Sequence, residues 1–192
     1  MKSLNYYGRK LRIMGLLVVG RERAALAELH AMLQRWPDDT YALASRAHLL
    51  AQTGQLETAL ADSRRLTVLR ARHATTWFNH GFMLEAAGQW DEALAAFRQS
   101  TELGPELDRA WYGLGLVLIR LQRYDEAVQA LKRNTELQPM SPYGWYQLAR
   151  VHVDRKEPEA AVKIIRHLQG FEPKVAEQLQ RETGLQLGKP AG

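Results

Sequence analysis

Small apolar residues recur along this chain at a fixed interval of 34 residues. Ala25, Ala59, Ala93, Ala127 and Ala161 lie one interval apart, with other apolar positions in phase around them. A period of 20 to 50 residues is the signature of an array of stacked structural units. We therefore expect one continuous core built from repeated helix pairs, since no single pair can bury its apolar face alone.

Tryptophan and proline follow the same period. Trp77, Trp111 and Trp145 are 34 residues apart. The prolines at the same spacing are Pro105, Pro139 and Pro173, with Pro37 two periods before the first. Proline cannot continue a helix, so these positions are expected to end the second helix of each pair.

The period divides the chain into five frames. We expect a single domain over 1–192, with clear repeats at 74–107, 108–141 and 142–175 and degenerate ones at 6–39 and 40–73. Gly54, Gly88 and the pair Gln122-Arg123 fall where the two helices of a frame should turn. The amphipathic segment 176–187 predicts a helix that caps the last repeat.

The best copy reads Trp77-x-x-His80-Gly81-x-x-Leu84, followed by Ala93, Phe97 and Pro105. This order of residues resembles the tetratricopeptide-repeat (TPR) motif, and the two following frames match it at most signature positions. The resemblance implies an all-α, right-handed solenoid of about five helix-turn-helix repeats. It also implies a non-catalytic role, in which the array holds another protein or a peptide.

The residues themselves carry no catalytic signature. There are no cysteines, and no phosphate loop, zinc-protease motif or nucleophile elbow occurs. His80 and His152 replace apolar motif positions, so we interpret them as packed side chains. Asp38-Asp39 and Asp91-Glu92 precede or open helices, where carboxylates cap. We predict no enzyme activity, no catalytic residue, no metal and no cofactor.

The resemblance places ligands on the first helices, which line the concave face of such arrays. At the lining positions the sequence is rich in aromatic and arginine side chains, the types that dominate binding hot spots. This predicts a groove for a peptide or an amphipathic helix. The predicted partner-binding residues are Tyr41, His48, Phe78, Asn79, Phe82, Arg109, Tyr112, Leu116, Arg120, Tyr143, Tyr146, Gln147 and Arg150.

Net charge refines the choice of partner. The formal charge is +5 and the isoelectric point about 9.6, which favours a partner protein or peptide with acidic residues. No small-molecule substrate is expected. RNA or an anionic membrane is an alternative ligand of the basic patches, with binding that falls steeply with salt. We place nucleic acid last because acids are interleaved with the arginines.

A second alternative is a structural subunit that docks in a larger complex through its outer face or its first repeat. The apolar run from Leu11 to Val19 would then be the docking surface, and self-association through this repeat is also open. The longest apolar stretch, Ile13 to Gly20, is too short to span a membrane. We expect a cytoplasmic protein, with the periplasm as the alternative, and the Ala, Arg, Leu and Gln content suggests a bacterial source.

Overall fold

The computed structural model describes residues 4–186 of the 192-residue chain. This part is entirely helical and contains eleven α-helices and no strand, in agreement with the predicted all-α class. Their bounds are α1 Leu4–Val18, α2 Glu22–Arg35, α3 Thr40–Gln52, α4 Leu56–Leu69, α5 Ala74–Ala86, α6 Trp90–Leu103, α7 Asp108–Arg120, α8 Tyr124–Leu137, α9 Pro142–Asp154, α10 Pro158–Gln169 and α11 Pro173–Thr183.

Neighbouring helices form a solenoid. Each odd-numbered helix from α1 to α9 packs on the next helix as a hairpin, and each even-numbered helix packs on the first helix of the following pair. The first helices of consecutive pairs also touch, α5 on α7 and α7 on α9, with α11 on α9. Helices α5, α7 and α9 therefore lie side by side, and α3 and α5 line a common cavity. We call the surface formed by α3, α5, α7 and α9 the groove.

The core explains the 34-residue period. Ala25, Ala59, Ala93, Ala127 and Ala161 are all completely buried, because at each of them the second helix of a pair lies against its neighbours. Glycine serves the same purpose on the first helices. A Cβ on Gly115 would lie 2.7 Å from the Leu131 side chain, so the helix pair α7–α8 can be this close only with glycine there.

The periodic tryptophans hold each inter-repeat loop against the helix that follows it. The indole Nε1 of Trp77 donates to the carbonyl of Ala71 at 2.8 Å, and Trp111 donates to Pro105 at 2.9 Å. Trp145 makes the same bond to Pro139 at 2.8 Å. Each bond reaches back six residues, which gives these tryptophans a structural role rather than a ligand-binding one.

Pro173 differs from the expectation for the prolines. Pro37, Pro105 and Pro139 lie in the loops after second helices, whereas Pro173 is the first residue of α11. Proline is favoured there because the first helical residue has no intrahelical partner for an N–H. The final helix thus runs from Pro173 to Thr183, where the sequence predicted 176–187, and residue 187 lies outside the described residues.

Asp39 shows why acidic residues precede helices in this chain. It is the N-cap of α3, and its Oδ1 accepts from the backbone N–H of Ala42 at 2.9 Å. Its other carboxylate oxygen accepts from the Tyr6 hydroxyl at 2.9 Å, which joins α1 to the start of the second pair. Asp91 and Glu92 lie in the first turn of α6, where their negative charges interact favourably with the helix dipole.

The turn inside each helix pair needs a left-handed residue. Positive φ angles occur 34 residues apart, and two of the five residues are not glycine. Such a conformation is strained for any residue with a Cβ. The five residues are Gly20, Gly54, Gly88, Gln122 (φ 58°) and Lys156 (φ 60°).

We expect Gln122→Gly to raise the free energy of unfolding by about 0.5 kcal/mol, because relief of the left-handed strain outweighs the added chain entropy. The reciprocal change, Gly88→Gln at φ 73°, should lower it by about 1 kcal/mol. Urea unfolding followed by circular dichroism measures both. Effects of the same sign in the two variants would contradict this account of the turn.

Candidate functional site: the groove of the first helices

Every predicted partner-binding residue lies on α3, α5, α7 or α9. None of the thirteen is fully buried, and seven of them are exposed. Phe82 and Tyr143 are 58% and 70% exposed, which is unusual for large aromatic side chains on an ordered helix. The exposed members are His48, Asn79, Phe82, Arg109, Arg120, Tyr143 and Arg150.

The central segment of the groove lies between α5 and α7 and encloses roughly 470 Å³. Phe78, Phe82, Tyr112 and Leu116 form its walls, and the fully buried Phe97 of α6 forms its floor. The ring centroids of Phe78 and Phe97 are 6.0 Å apart, so the groove wall rests directly on the core. A ligand side chain would meet an almost wholly apolar surface here.

The C-terminal segment continues from Tyr112 to the last helix. About 300 Å³ is lined by Tyr112, Tyr143, Tyr146 and Gln147, together with residues of α11. The Tyr146 hydroxyl donates to Glu182 of α11 at 2.5 Å, which fixes this tyrosine at the end of the groove. The final helix therefore closes the groove as well as capping the core.

The N-terminal segment is the polar part. It encloses about 400 Å³ between α3, α4 and α5, and its lining includes His48, Asn79 and Phe82. Phe82 is shared with the central segment, as Tyr112 is shared with the C-terminal one. The three segments thus form one continuous surface from α3 to α11.

Arginines lie against the aromatic rings along this surface. The guanidinium of Arg109 is 4.7 Å from the centroid of Phe78, and that of Arg150 is 5.9 Å from Tyr146. The guanidinium of Arg120 lies 5.1 Å from the ring of Trp90, but Arg120 itself lines none of the three segments. For Arg109, such stacking holds the cation at the rim while its donors stay available.

Tyr41 lies apart from the other predicted site residues. Its ring lies 4.5 Å from the Lys10 ammonium, beneath α1, and it lines none of the three segments. The structure thus groups ten predicted residues into one surface, with Arg150 on its rim, and leaves Tyr41 and Arg120 at its margins.

Two ionisable groups inside the groove are perturbed by burial. Desolvation raises the pKa of the Glu85 carboxyl above its ordinary value. Burial likewise raises the pKa of Tyr112, opposed by a hydrogen bond with Gln147 and reinforced by the charge of Glu85. Glu85 is thus the acidic group within a segment whose rim carries the Arg109 cation.

Some lining residues were not predicted. Trp90 and Phe97 come from a second helix, and Val175 and Gln178 come from α11, which the sequence marked only as a cap. The rule that first helices line the groove excludes all four. An aromatic residue directly after the Gly88 turn is the one signal that could have indicated Trp90.

His80 and His152 are both buried, as packed side chains should be. Nδ1 of His80 lies 2.8 Å from the Ser63 hydroxyl, and that of His152 lies 2.7 Å from Glu157. Within residues 4–186 no group of three or more His, Asp or Glu side chains is placed to hold a metal ion. The described helices also include none that is long and apolar enough to cross a bilayer.

Burial, helped by the nearby charge of Arg64, lowers the pKa of His80 to about 4. Well above pH 6.5 the histidine is neutral in both the folded and the unfolded chain. As the pH falls, the unfolded chain binds a proton that the folded chain excludes, so stability declines between pH 6.5 and 4. We expect a loss of about 2 kcal/mol at pH 5 relative to pH 7 from this residue.

The matched variant is His80→Leu, which restores the motif residue. Ser63 keeps its bond to the Leu60 carbonyl, so no polar group loses its last partner. Urea unfolding at pH 7 and pH 5 should show a smaller pH dependence for His80→Leu than for the parent chain. Equal dependence in both proteins would show that His80 is not the source.

The helix pairs and their continuous groove define a repeat protein of the protein-interaction class. The sequence profile of the Tetratricopeptide repeat family matches residues 84–133. About a quarter of the chain thus matches the tetratricopeptide-repeat profile, and the fold of that family is that of a protein–protein interaction module. Comparison with curated protein sequences gives no match.

Similar solved structures share the architecture over nearly the whole chain. A tetratricopeptide repeat protein from Parabacteroides merdae has a TM-score of 0.83 and 19% identity, covering 95% of this chain and 75% of that one. MamA from Desulfovibrio magneticus has a TM-score of 0.81 and 20% identity, covering 95% of this chain and 98% of that one. YrrB, described as a TPR protein with an unusual peptide-binding site, has a TM-score of 0.78 and 18% identity. The match covers 94% of this chain and 92% of that one. At these identities the likeness shows the fold alone.

Proposed function

We propose that this chain is a non-catalytic adaptor or assembly factor that holds a peptide or a helical segment of another protein in the groove. The observation that carries the proposal is the unbroken run of aromatic side chains from Phe82 through Tyr112 to Tyr143. Exposed aromatics are costly to leave in water, and their burial by a partner supplies hot-spot binding energy.

The shape of the groove supports an elongated ligand. Its three segments adjoin through Phe82 and Tyr112, so successive side chains of one peptide could occupy them in turn. An amphipathic helix offers apolar anchors at the spacing that such a surface needs. The peptide-binding site named for YrrB, a protein of similar fold, supports this use of the architecture.

The charges of the groove favour acidic residues beside the apolar anchors. Arg109 and Arg150 lie at the rim with their guanidinium groups stacked on rings, and guanidinium groups bind carboxylates in a bidentate geometry. Arg150 already lies 3.7 Å from Glu182, so a ligand carboxylate would compete with α11 there. Arg109 is the better candidate for such a contact.

The test uses a phage-displayed library of random peptides, with the affinity of enriched peptides measured by fluorescence anisotropy. We expect Phe82→Ala/Tyr143→Ala to weaken binding at least about 30-fold, the equivalent of one hot-spot residue. Both side chains are mostly exposed, so the array should stay folded.

The matched control is Val68→Ala/Met140→Ala. These two side chains are 69% and 68% exposed, comparable with Phe82 and Tyr143, and neither lines the groove. Its affinity should equal that of the parent chain. Unchanged affinity of the groove variant would remove the groove from the binding mechanism.

A further inference from the structure

The first helix exposes an apolar face that no other part of residues 4–186 covers. Leu4 is 90% exposed, Val18 86% and Leu11 68%. Soluble proteins rarely leave contiguous apolar patches of this kind in water unless they are interaction sites. We call this surface the α1 face, and it consists of Leu4, Tyr7, Leu11, Met14, Val18 and Val19.

The spacing of the α1 face indicates that its partner is a helix. Residues 4, 7, 11, 14 and 18 alternate steps of three and four, which is the apolar seam of two heptads. On a helix this seam forms a nearly straight stripe that packs against a second helix with side chains interlocked. A flat or irregular partner surface would not be complementary to this regular spacing.

Two glycines beside the seam support the same conclusion. A Cβ added to Gly8 or Gly15 would meet nothing within 4 Å, whereas one on Gly144 would lie 2.1 Å from the Asn134 side chain. Glycine is a poor helix former, and nothing in the described chain explains these two. One, two and three periods after Gly15, the equivalent residues Leu49, Met83 and Val117 are buried. A closely approaching helix would account for both glycines.

We propose that the helix on the α1 face is α1 of a second copy of this chain, which gives a symmetric dimer. The opposite end of the array cannot supply it, because α11 exposes polar Lys174, Glu177, Gln178 and Arg181. A head-to-tail contact would bury those groups against leucine and valine. Two α1 faces match each other, and a two-fold contact closes without leaving an apolar end.

Contacts within each copy offset part of the positive charge of α1. The α1 cations Arg9 and Arg12 both pair with Glu28 of α2, at 3.0 and 3.2 Å, and Lys10 lies over the Tyr41 ring. Six apolar side chains at roughly 100 Å² each would bury on the order of 600 Å² per copy. This approaches the roughly 800 Å² per partner of a stable interface. In an antiparallel pair the two-fold axis passes close to Leu11.

The test is the mass of the full chain in solution, measured by light scattering and sedimentation over a dilution series. We expect a dimer that Leu11→Glu converts to a folded monomer, with a dissociation constant raised at least about 100-fold. The matched control is Val68→Glu, because Val68 is 69% exposed and Leu11 is 68% exposed. It should remain a dimer, and circular dichroism should show both variants folded.

Disulfide trapping locates the contact independently, since the chain has no cysteine of its own. Under mild oxidation Leu11→Cys should form a covalent dimer and Val68→Cys should not. A monomeric parent chain would overturn the proposal. So would a dimer that resists Leu11→Glu and that Leu11→Cys does not cross-link, because it would use another surface. Neither result would affect the proposed peptide groove.

Discussion

Replacing Phe97 by alanine is expected to lower the free energy of unfolding by about 3–5 kcal/mol. The side chain is 1% exposed and lies between two glycines of neighbouring first helices. A Cβ on Gly113 would lie 2.7 Å from the ring, and one on Gly81 3.0 Å. Because neither glycine has a side chain to move inward, the space left by the ring stays open as a cavity.

The measurement is urea unfolding of the full chain, with Phe82→Ala as the matched substitution. Phe82 is 58% exposed, so its removal should change stability by no more than about 0.5 kcal/mol. The pair separates a core phenylalanine from a groove phenylalanine of the same chain. Equal losses for the two variants would mean that Phe97 does not hold α5, α6 and α7 together.

The second large effect is expected from Arg46→Ala. Arg46 and Asp62 form a two-bond ion pair between α3 and α4, with Nε to Oδ2 at 2.7 Å and Nη2 to Oδ1 at 2.6 Å. The Asp62 side chain is 6% exposed. Removal of the arginine leaves a buried carboxylate without its counter-charge, which destabilises by about 3–5 kcal/mol.

Arg65→Ala is the control, because its pair with Asp38 is half exposed on both sides and should contribute less than about 1 kcal/mol. The double variant Arg46→Met/Asp62→Leu replaces the buried pair with apolar side chains. It should recover most of the stability, since neither charge then remains buried alone. If Arg46→Ala and Arg65→Ala have the same small effect, the buried pair is not what links α3 to α4.

The periodic residues made the fold predictable from the sequence. Spacing of the buried alanines and of Trp77, Trp111 and Trp145 requires no knowledge of long-range contacts, because each repeat contacts only its neighbours. The Arg46–Asp62 pair could not be predicted in this way. Arg46 stands where the third repeat has His80 and the last two have Leu114 and Leu148, and a departure from the motif does not reveal which residue compensates for it.

The candidate site was predictable in position and less so in detail. The first helices could be identified from the frame, and the structure places Phe78, Phe82 and Tyr112 of these helices around one cavity. The stacking of Arg109 on Phe78 and the bond from Tyr146 to Glu182 depend on side-chain rotamers and on where α11 returns. Neither is encoded by the repeat period.

The exposed α1 face illustrates the same limit. The sequence marked the apolar run from Leu11 to Val19, but only the structure separates exposed Leu11 and Val18 from buried Ile13. Burial of a helix face depends on the elements packed against it. For a terminal helix those elements cannot be inferred from its own sequence.

The central claim is that a partner protein binds in the groove, and affinity capture from extract of the native host tests it most directly. Three baits are compared by mass spectrometry: the parent chain, Phe82→Ala/Tyr143→Ala and Val68→Ala/Met140→Ala. The account predicts one stoichiometric partner on the parent and the control, and its loss from the groove variant. The same partner retained by all three baits would contradict it.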